Sequence, residues 1–350
     1  MKAAIILGCM AAMGAARVVQ AQLLYLGGHD RTRPNMDATE FLPDSLRNLP
    51  TKGLCAGTWH HILIKADGSL TGWGSNSDRA LNFPPGLTNV KAASSRFGMS
   101  VALREDGSAI SWGGYENLML VHRMDLTGIK QVAAMERAAI ALREDGTVVE
   151  WGSSLNSHTG PDTLRDIVQI SAGDDFALAL RKDGTIAWWG YDQFEVAAPP
   201  AGLDHVKAIS AGRAHSLALK DDGTVVAWGS ANYNATKVPE GLANVKAVAA
   251  GFWYSLALLE NGQVVAWGAS SEGQAWVPPE LSGVTQISAG YMSWLALAAT
   301  VPSVSIQVGS RRADAKGSWG WSGAAGHIPA WRLGSGLYDA SGRRRGLPGS

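Results

Sequence analysis

Apolar and polar positions recur along this chain in short, strand-sized runs separated by turn residues. In residues 206–244, Val206-Lys207-Ala208-Ile209-Ser210 alternates and predicts a strand. Ala211-Gly212-Arg213-Ala214 reads as a tight turn, and His215-Ser216-Leu217-Ala218-Leu219 as a second strand. Asp222-Gly223 is a hairpin signal, because both central residues of a type I′ turn need positive φ. Residues 224–228 predict a third strand, and the rest of the unit is loop without a period.

This unit repeats. Trp-Gly recurs at Trp73, Trp112, Trp151, Trp189, Trp228 and Trp267, at intervals of 39, 39, 38, 39 and 39 residues. Six residues before each Trp stands Asp67, Asp106, Asp145, Asp183, Asp222 or Asn261, each followed by Gly. The upstream turn recurs seven times, centred on Gly57, Arg96, Met135, Gly173, Gly212, Gly251 and Gly290. Three strands cannot bury both faces alone, but copies stacked around an axis can, leaving only short edges. The pattern therefore predicts an all-β, seven-bladed β-propeller of about 39-residue repeats. Its domain spans residues 22–300. Leu23-Leu24-Tyr25-Leu26-Gly27 has the shape of the third strand, with Leu26 in the Trp slot, while residues 284–298 supply only two strands. The N-terminal strand is expected to complete the last blade. The repeated Trp is expected to fill the gap between blades, its indole N–H satisfied. Small residues suit the crowded axis.

The strand order puts the upstream turns and the start of each post-Trp loop at one end, the top face. The two residues after each turn divide this face. Trp59, Phe97, Phe252, Trp253 and Tyr291 fall on blades one, two, six and seven; Glu136, Arg137, Asp174, Asp175 and Arg213 fall on blades three to five. Tyr115, Tyr191, Phe194, Tyr233 and Trp276 lie in adjoining loops. Clustered aromatics anchor protein interfaces, so Trp59, Phe97, Phe252, Trp253, Tyr291, Asp174, Asp175 and Arg213 are the candidate partner-binding residues. The alternative is that the rings fold inward and plug the channel.

Composition adjusts the picture at the ends. Residues 1–21 read as a signal peptide, with Lys2, an apolar stretch and Val19-Gln20-Ala21 as the cleavage site, which predicts a secreted or periplasmic chain. A buried N-terminal helix or a lipoprotein box at Ile6-Leu7-Gly8-Cys9 are the alternatives. Of two cysteines, Cys55 remains after cleavage, read as a small buried hydrophobe without a disulfide. Residues 30–52 form a long connector. Residues 304–308 read as one further strand or the stub of a lost domain; residues 301–350 as a linker and disordered tail, with seven Lys/Arg against two Asp in 309–350. A formal net charge of zero argues against a dedicated nucleic-acid binder, and no other apolar run reaches membrane-spanning length.

The runs Ile209-Ser210-Ala211-Gly212, His215-Ser216-Leu217-Ala218-Leu219 and 222–229 resemble the regulator-of-chromosome-condensation repeat. The short three-stranded form is similar to the bacterial members that inhibit β-lactamases. The likeness covers residues 22–300, whereas the family's Gly-Gln loop motif survives only at Gly273-Gln274 and its turn histidine only at His60 and His215. The resemblance implies a rigid disc presenting loops to another protein. It therefore supports a monomeric protein-binding scaffold, with an inhibitor-like role as one form of it, without enzymatic activity, cofactor or metal. The alternatives are a propeller enzyme acting on carbohydrate and an exchange factor for a small GTPase. Of the eight histidines only His60-His61 are adjacent, and neighbours on a strand point to opposite faces, so no metal site is expected there. The hairpin aspartates have a plain turn role. Asp174-Asp175 is the one acidic pair at a central turn.

Overall fold

The computed structural model describes residues 22–26, 43–46, 49–114, 126–152, 163–191, 198–270, 274–278, 281–291 and 293–298, with short stretches between 312 and 345. The chain divides into two units, Met1–Val301 and Pro302–Ser350. The signal-peptide reading of residues 1–21, the strand expected at 304–308, Tyr115 and Phe194 lie outside the described residues, as does most of the 30–52 connector. The described residues of the second unit form two short sheets, Arg312–Ala313 with Trp319–Gly320, and Gly336–Tyr338 between Trp331–Leu333 and Arg344–Arg345.

In the first unit the described residues form seven antiparallel three-stranded sheets. Each runs from an inner strand through a middle to an outer one, as Val206–Ala211, His215–Lys220 and Val225–Gly229 do in blade five. The other inner strands are Thr51–Ala56, Val90–Arg96, Ile129–Ala134, Ile167–Ala172, Val245–Ala250 and Val284–Ala289. The sequence alternation hides one feature. Every inner strand carries a bulge at its second residue, where the register skips. That residue is Lys in five blades (Lys52, Lys91, Lys130, Lys207 and Lys246). A bulge with a charge bends the strand and discourages stray pairing along its edge.

The last blade is assembled from both ends of the domain. Gln22–Leu26 pairs antiparallel with Trp294–Ala298, which pairs with Val284–Ala289. Leu26 faces Trp294 at the register where Trp228 faces Ser216 in blade five. The large ring has moved to the middle strand: Trp294 is fully buried and its Nε1 donates to Gln274 O (3.0 Å).

The hydrophobic core sits between neighbouring blades. Blades three and four share Ile140, Leu142, Ile170 and Trp189; blades seven and one share Leu54, Leu63, Trp73, Leu295 and Leu297. All six repeat tryptophans are buried. Each leans on the preceding blade, where its N–H needs an acceptor. Trp151 finds Ser111 Oγ (3.1 Å), Trp189 finds Glu150 Oε2 (2.8 Å), and Trp112 and Trp267 find the loop carbonyls of Ala80 and Ala235 (both 2.8 Å). The expectation that Trp228 is satisfied fails. It is buried, but its Nε1 has no partner among the described residues. The same holds for Trp73. The slot that serves Trp151 and Trp189 through Ser111 and Glu150 holds Trp188 for Trp228, and its ring offers no acceptor.

Around the axis, the open edge of the inner strand in blades one, three, four, five and six is closed by side chains from the preceding blade. The hydroxyls of Ser288, Ser94, Ser171 and Ser210 accept the backbone N–H of Ala56, Ala134, Ala211 and Ala250 (2.9–3.0 Å). Gln131 and Gln169 clasp the backbone of Ile170 and Ile209, donating to the carbonyl and accepting from the N–H. Gln286 Nε2 donates to Lys52 O (3.4 Å), a second link from blade seven to blade one. The small residues thus do more than fit a crowded axis. They satisfy buried backbone groups that a sheet edge leaves open. A channel of about 80 Å³ remains, with Arg96 at its lining.

Candidate interaction face

Backbone hydrogen bonds place the upstream turns and the post-Trp loops at one end. Ser75, Tyr191, Ser230 and Ala269 donate to the carbonyls of Trp59, Asp175, Ala214 and Trp253 (2.7–2.8 Å). Five large hydrophobic side chains are exposed among the described residues, and three of them are rings at this end: Trp59 (45%), Tyr191 (60%) and Tyr233 (58%); Trp276 is exposed in the loop after Trp267.

The candidate residues meet as a near-continuous belt around the channel mouth. Trp59 packs on Tyr291 (5.0 Å between centroids), and Tyr291 on Phe252 (3.9 Å). Phe252 meets Trp253 edge-on (5.2 Å), and Trp253 packs on Tyr233 (5.4 Å). The Arg213 guanidinium lies 4.3 Å from the Phe252 centroid, and its Nε is 3.4 Å from Asp174 Oδ2. Asp174 also accepts from Arg96 Nε (2.6 Å), and Arg96 Nη1 donates to Ala172 O (3.2 Å). Phe97 is not one of the stacked rings. It sits at φ 48°, its N–H donating to Thr58 Oγ1 (2.8 Å). Except for Trp59, the predicted rings are half-buried because they cover one another.

Arg96 is the member that motif reading passed over. It reaches from blade two to blade four. The signal was present, since Arg occupies a slot that is Gly in five of the seven turns. Asp175 and Glu136 stand beside the network. Burial first, and the neighbouring Asp174 second, push Asp175 above the usual carboxylate range; burial and then Asp175 do the same to Glu136. Glu136 pairs with Arg137 (3.5 Å), while Asp175 has no ion pair among the described residues.

The hairpin aspartates behave as turn residues. In Asp67, Asp106, Asp145, Asp183 and Asp222 one carboxylate oxygen accepts both the hydroxyl and the N–H of the Ser or Thr two residues on, which lowers the pKa of each. Among the described residues no three His, Cys, Asp or Glu side chains are grouped to hold a metal ion.

His60 and His215 are buried, each reaching the next blade. His60 Nε2 is 3.2 Å from Ser100 Oγ, and His215 Nε2 is 2.8 Å from Ser255 Oγ. Both serines spend their single proton on carbonyls, Ala80 O and Ala235 O. The histidines must therefore donate, as neutral Nε2–H tautomers. Burial lowers His60 to about 4 and His215 to about 3. Because the folded values lie below the ordinary 6.5, the unfolded chain takes up protons first. The associated stability is complete above about pH 6.5 and is lost as pH falls towards 4 and 3. The unfolded imidazoles are half protonated at pH 6.5, so the slope of about 1.4 kcal/mol per pH unit for each site develops below it, and the protein is expected to lose about 3 kcal/mol between pH 6.5 and 5. Urea unfolding across this range checks it. A His60→Phe, His215→Phe variant should flatten the profile, Phe176 already occupying the equivalent place in blade four; an unchanged slope would contradict the assignment.

With this geometry in place, comparison with known proteins gives a consistent result. Residues 167–194, 206–235 and 245–274 match the regulator of chromosome condensation (RCC1) repeat. No curated protein matches the chain. Among solved structures it is similar to Prp20p from Saccharomyces cerevisiae, studied for its binding to Gsp1p and histones, with a TM-score of 0.66 and 18% identity over 84% of this chain and 94% of that one. Human WBSCR16 gives a TM-score of 0.59 and 16% identity over 79% and 98%. The ectodomain of the Arabidopsis thaliana receptor kinase ACR4 gives 0.52 and 22% over 68% and 88%. Three of its blades match the RCC1 repeat in sequence, all seven share one three-stranded frame, and the fold is a β-propeller similar to that of Prp20p.

Proposed function

We propose that this propeller is an exported protein-binding scaffold that docks a partner protein through the aromatic half of its top face. The observation that carries the reading is the stacking of exposed Trp59 and Tyr233 with half-buried Phe252, Trp253 and Tyr291 at one end of a rigid disc. A soluble surface gains nothing from such a patch, which invites association unless covered. A standard interface needs roughly 800 Å² from each partner, within reach of several turns and their flanking loops. The binding of Prp20p to Gsp1p and histones supports a protein-binding role for a propeller of similar fold. The signal-peptide pattern of residues 1–21 motivates the exported location, so the partner is sought among extracytoplasmic proteins, where the chain should be recovered beginning at Gln22.

The test is a double substitution, Trp59→Ala with Trp253→Ala. Interface anchors cost about 2 kcal/mol or more each when truncated, so affinity for the captured partner should fall at least about thirtyfold with the fold intact. Parental affinity in the folded double variant would place the binding face elsewhere.

A further inference from the structure

We propose that Arg213 is a strut that holds the aromatic half of the top face in its stacked arrangement by tying it to the buried ion pairs of blades two and four. The geometry is a chain of dependence. Asp174 is buried, and a buried carboxylate must be paired. It is paired twice, with Arg96 and with Arg213. Arg96 reaches it from the channel wall, where a second bond to Ala172 O fixes the guanidinium. Asp174 is thus an immobile anchor, and Arg213 is held by it on one side.

On its other side Arg213 meets Phe252, with its guanidinium carbon 4.3 Å from the ring centroid. Its backbone N–H donates to Gly251 O (3.3 Å), so the turns of blades five and six are joined at the main chain as well. Phe252 is the hub of the rings, touching both Trp253 and Tyr291, and Tyr291 carries Trp59. Arg213 is the place where the charged series and the aromatic series meet. Rings that cover only one another at a surface have alternative rotamers of similar energy. A cation fixed from behind against the face of the hub favours one of them.

The strut itself is independent of what binds; its consequence for affinity rests on the docking reading above. A face held in one arrangement loses less freedom on association, so loosening it should weaken binding without removing any contact. In that case Arg213 is a positioning residue and its charge is internal to the face. The partner's patch over the rings then needs no carboxylate to meet it.

Hydrogen exchange of the free protein provides the first arm. The reporters are the amides of Gly251 and Ala269, which donate to Tyr254 O and Trp253 O, and of Gly290, which donates to Ser293 O. Arg213→Gln should speed their exchange about tenfold, while the strand amides of blade two and the melting temperature stay as in the parent. Asp174→Asn, which removes the anchor and leaves Phe252 untouched, should do the same. Arg213→Lys, which keeps a cation over the ring, should restore most of the protection. Parental exchange in Arg213→Gln, or a Lys variant no better protected than Gln, overturns the proposal, as does a loosening spread evenly over all blades. The second arm is affinity for the captured partner. If the exchange results hold and Arg213→Gln binds like the parent, the strut stands and the aromatic half is not the docking surface.

Discussion

A chain lacking residues 22–28 should melt about 10 °C or more below the full protein and aggregate at concentrations where the parent is monomeric. Five residues are lost from the ladder, but two consequences multiply the effect. Trp294–Ala298, fully buried in the intact blade, becomes an apolar edge with a row of unpaired N–H and C=O groups, the arrangement that templates chain-to-chain pairing. Blade seven also shares its core with blade one through Leu295 and Leu297 against Leu54, Leu63 and Trp73, so loosening it exposes a second surface. A loss of about 4 kcal/mol corresponds to roughly 10 °C for a domain of this size. Thermal melting and light scattering of the two chains side by side read the result. A truncated chain that stays monomeric with the parental melting temperature would show that the terminal strand is not needed.

Trp228→Ala should cost about 3–5 kcal/mol, because the cavity lies between two blades held apart by their own sheets and cannot collapse. A loss under about 1 kcal/mol would contradict the burial. The same position offers a sharper comparison. Trp228 Nε1 has no partner among the described residues, so Trp228→Phe should cost only the lost volume, whereas Trp189→Phe removes the donor facing Glu150 and leaves a partly buried carboxylate with one bond fewer. Removing one donor from a partly buried acceptor should cost about 1 kcal/mol more than trimming a ring that bonds nothing. Chemical denaturation of the two Phe variants measures the difference. Equal losses would mean that the Glu150 contact contributes nothing.

These expectations separate what was legible in the residues from what was not. The strands, the hairpins at Asp-Gly, the blade count and the terminal strand of the last blade could all be read from periodicity, because local geometry at period two and at a tight turn is written in adjacent residues. The top face could be read too, since the direction of each strand follows from the turn before it. The bulged lysines could not. A bulge depends on which partner residue is skipped, and the alternation Val-Lys-Ala looks the same with or without it.

Periodicity alone defines the repeating unit, its number and the set of residues brought to one end. What those residues do to one another follows from the arrangement of the blades. Ser94, Ser171, Ser210 and Ser288 read as space-savers and turn out to bond the next blade's backbone, because their partners lie about 40 residues away along the chain in three cases and 232 in the fourth. Arg96 reads as an irregular turn residue and crosses the mouth to Asp174, 78 residues on. The indoles of Trp73 and Trp228 read like their four counterparts and have no acceptor among the described residues. The physical reason is common to all of these. A repeat encodes its own strands through short-range geometry, whereas the contacts between repeats join side chains whose proximity exists only after the blades are arranged around the axis.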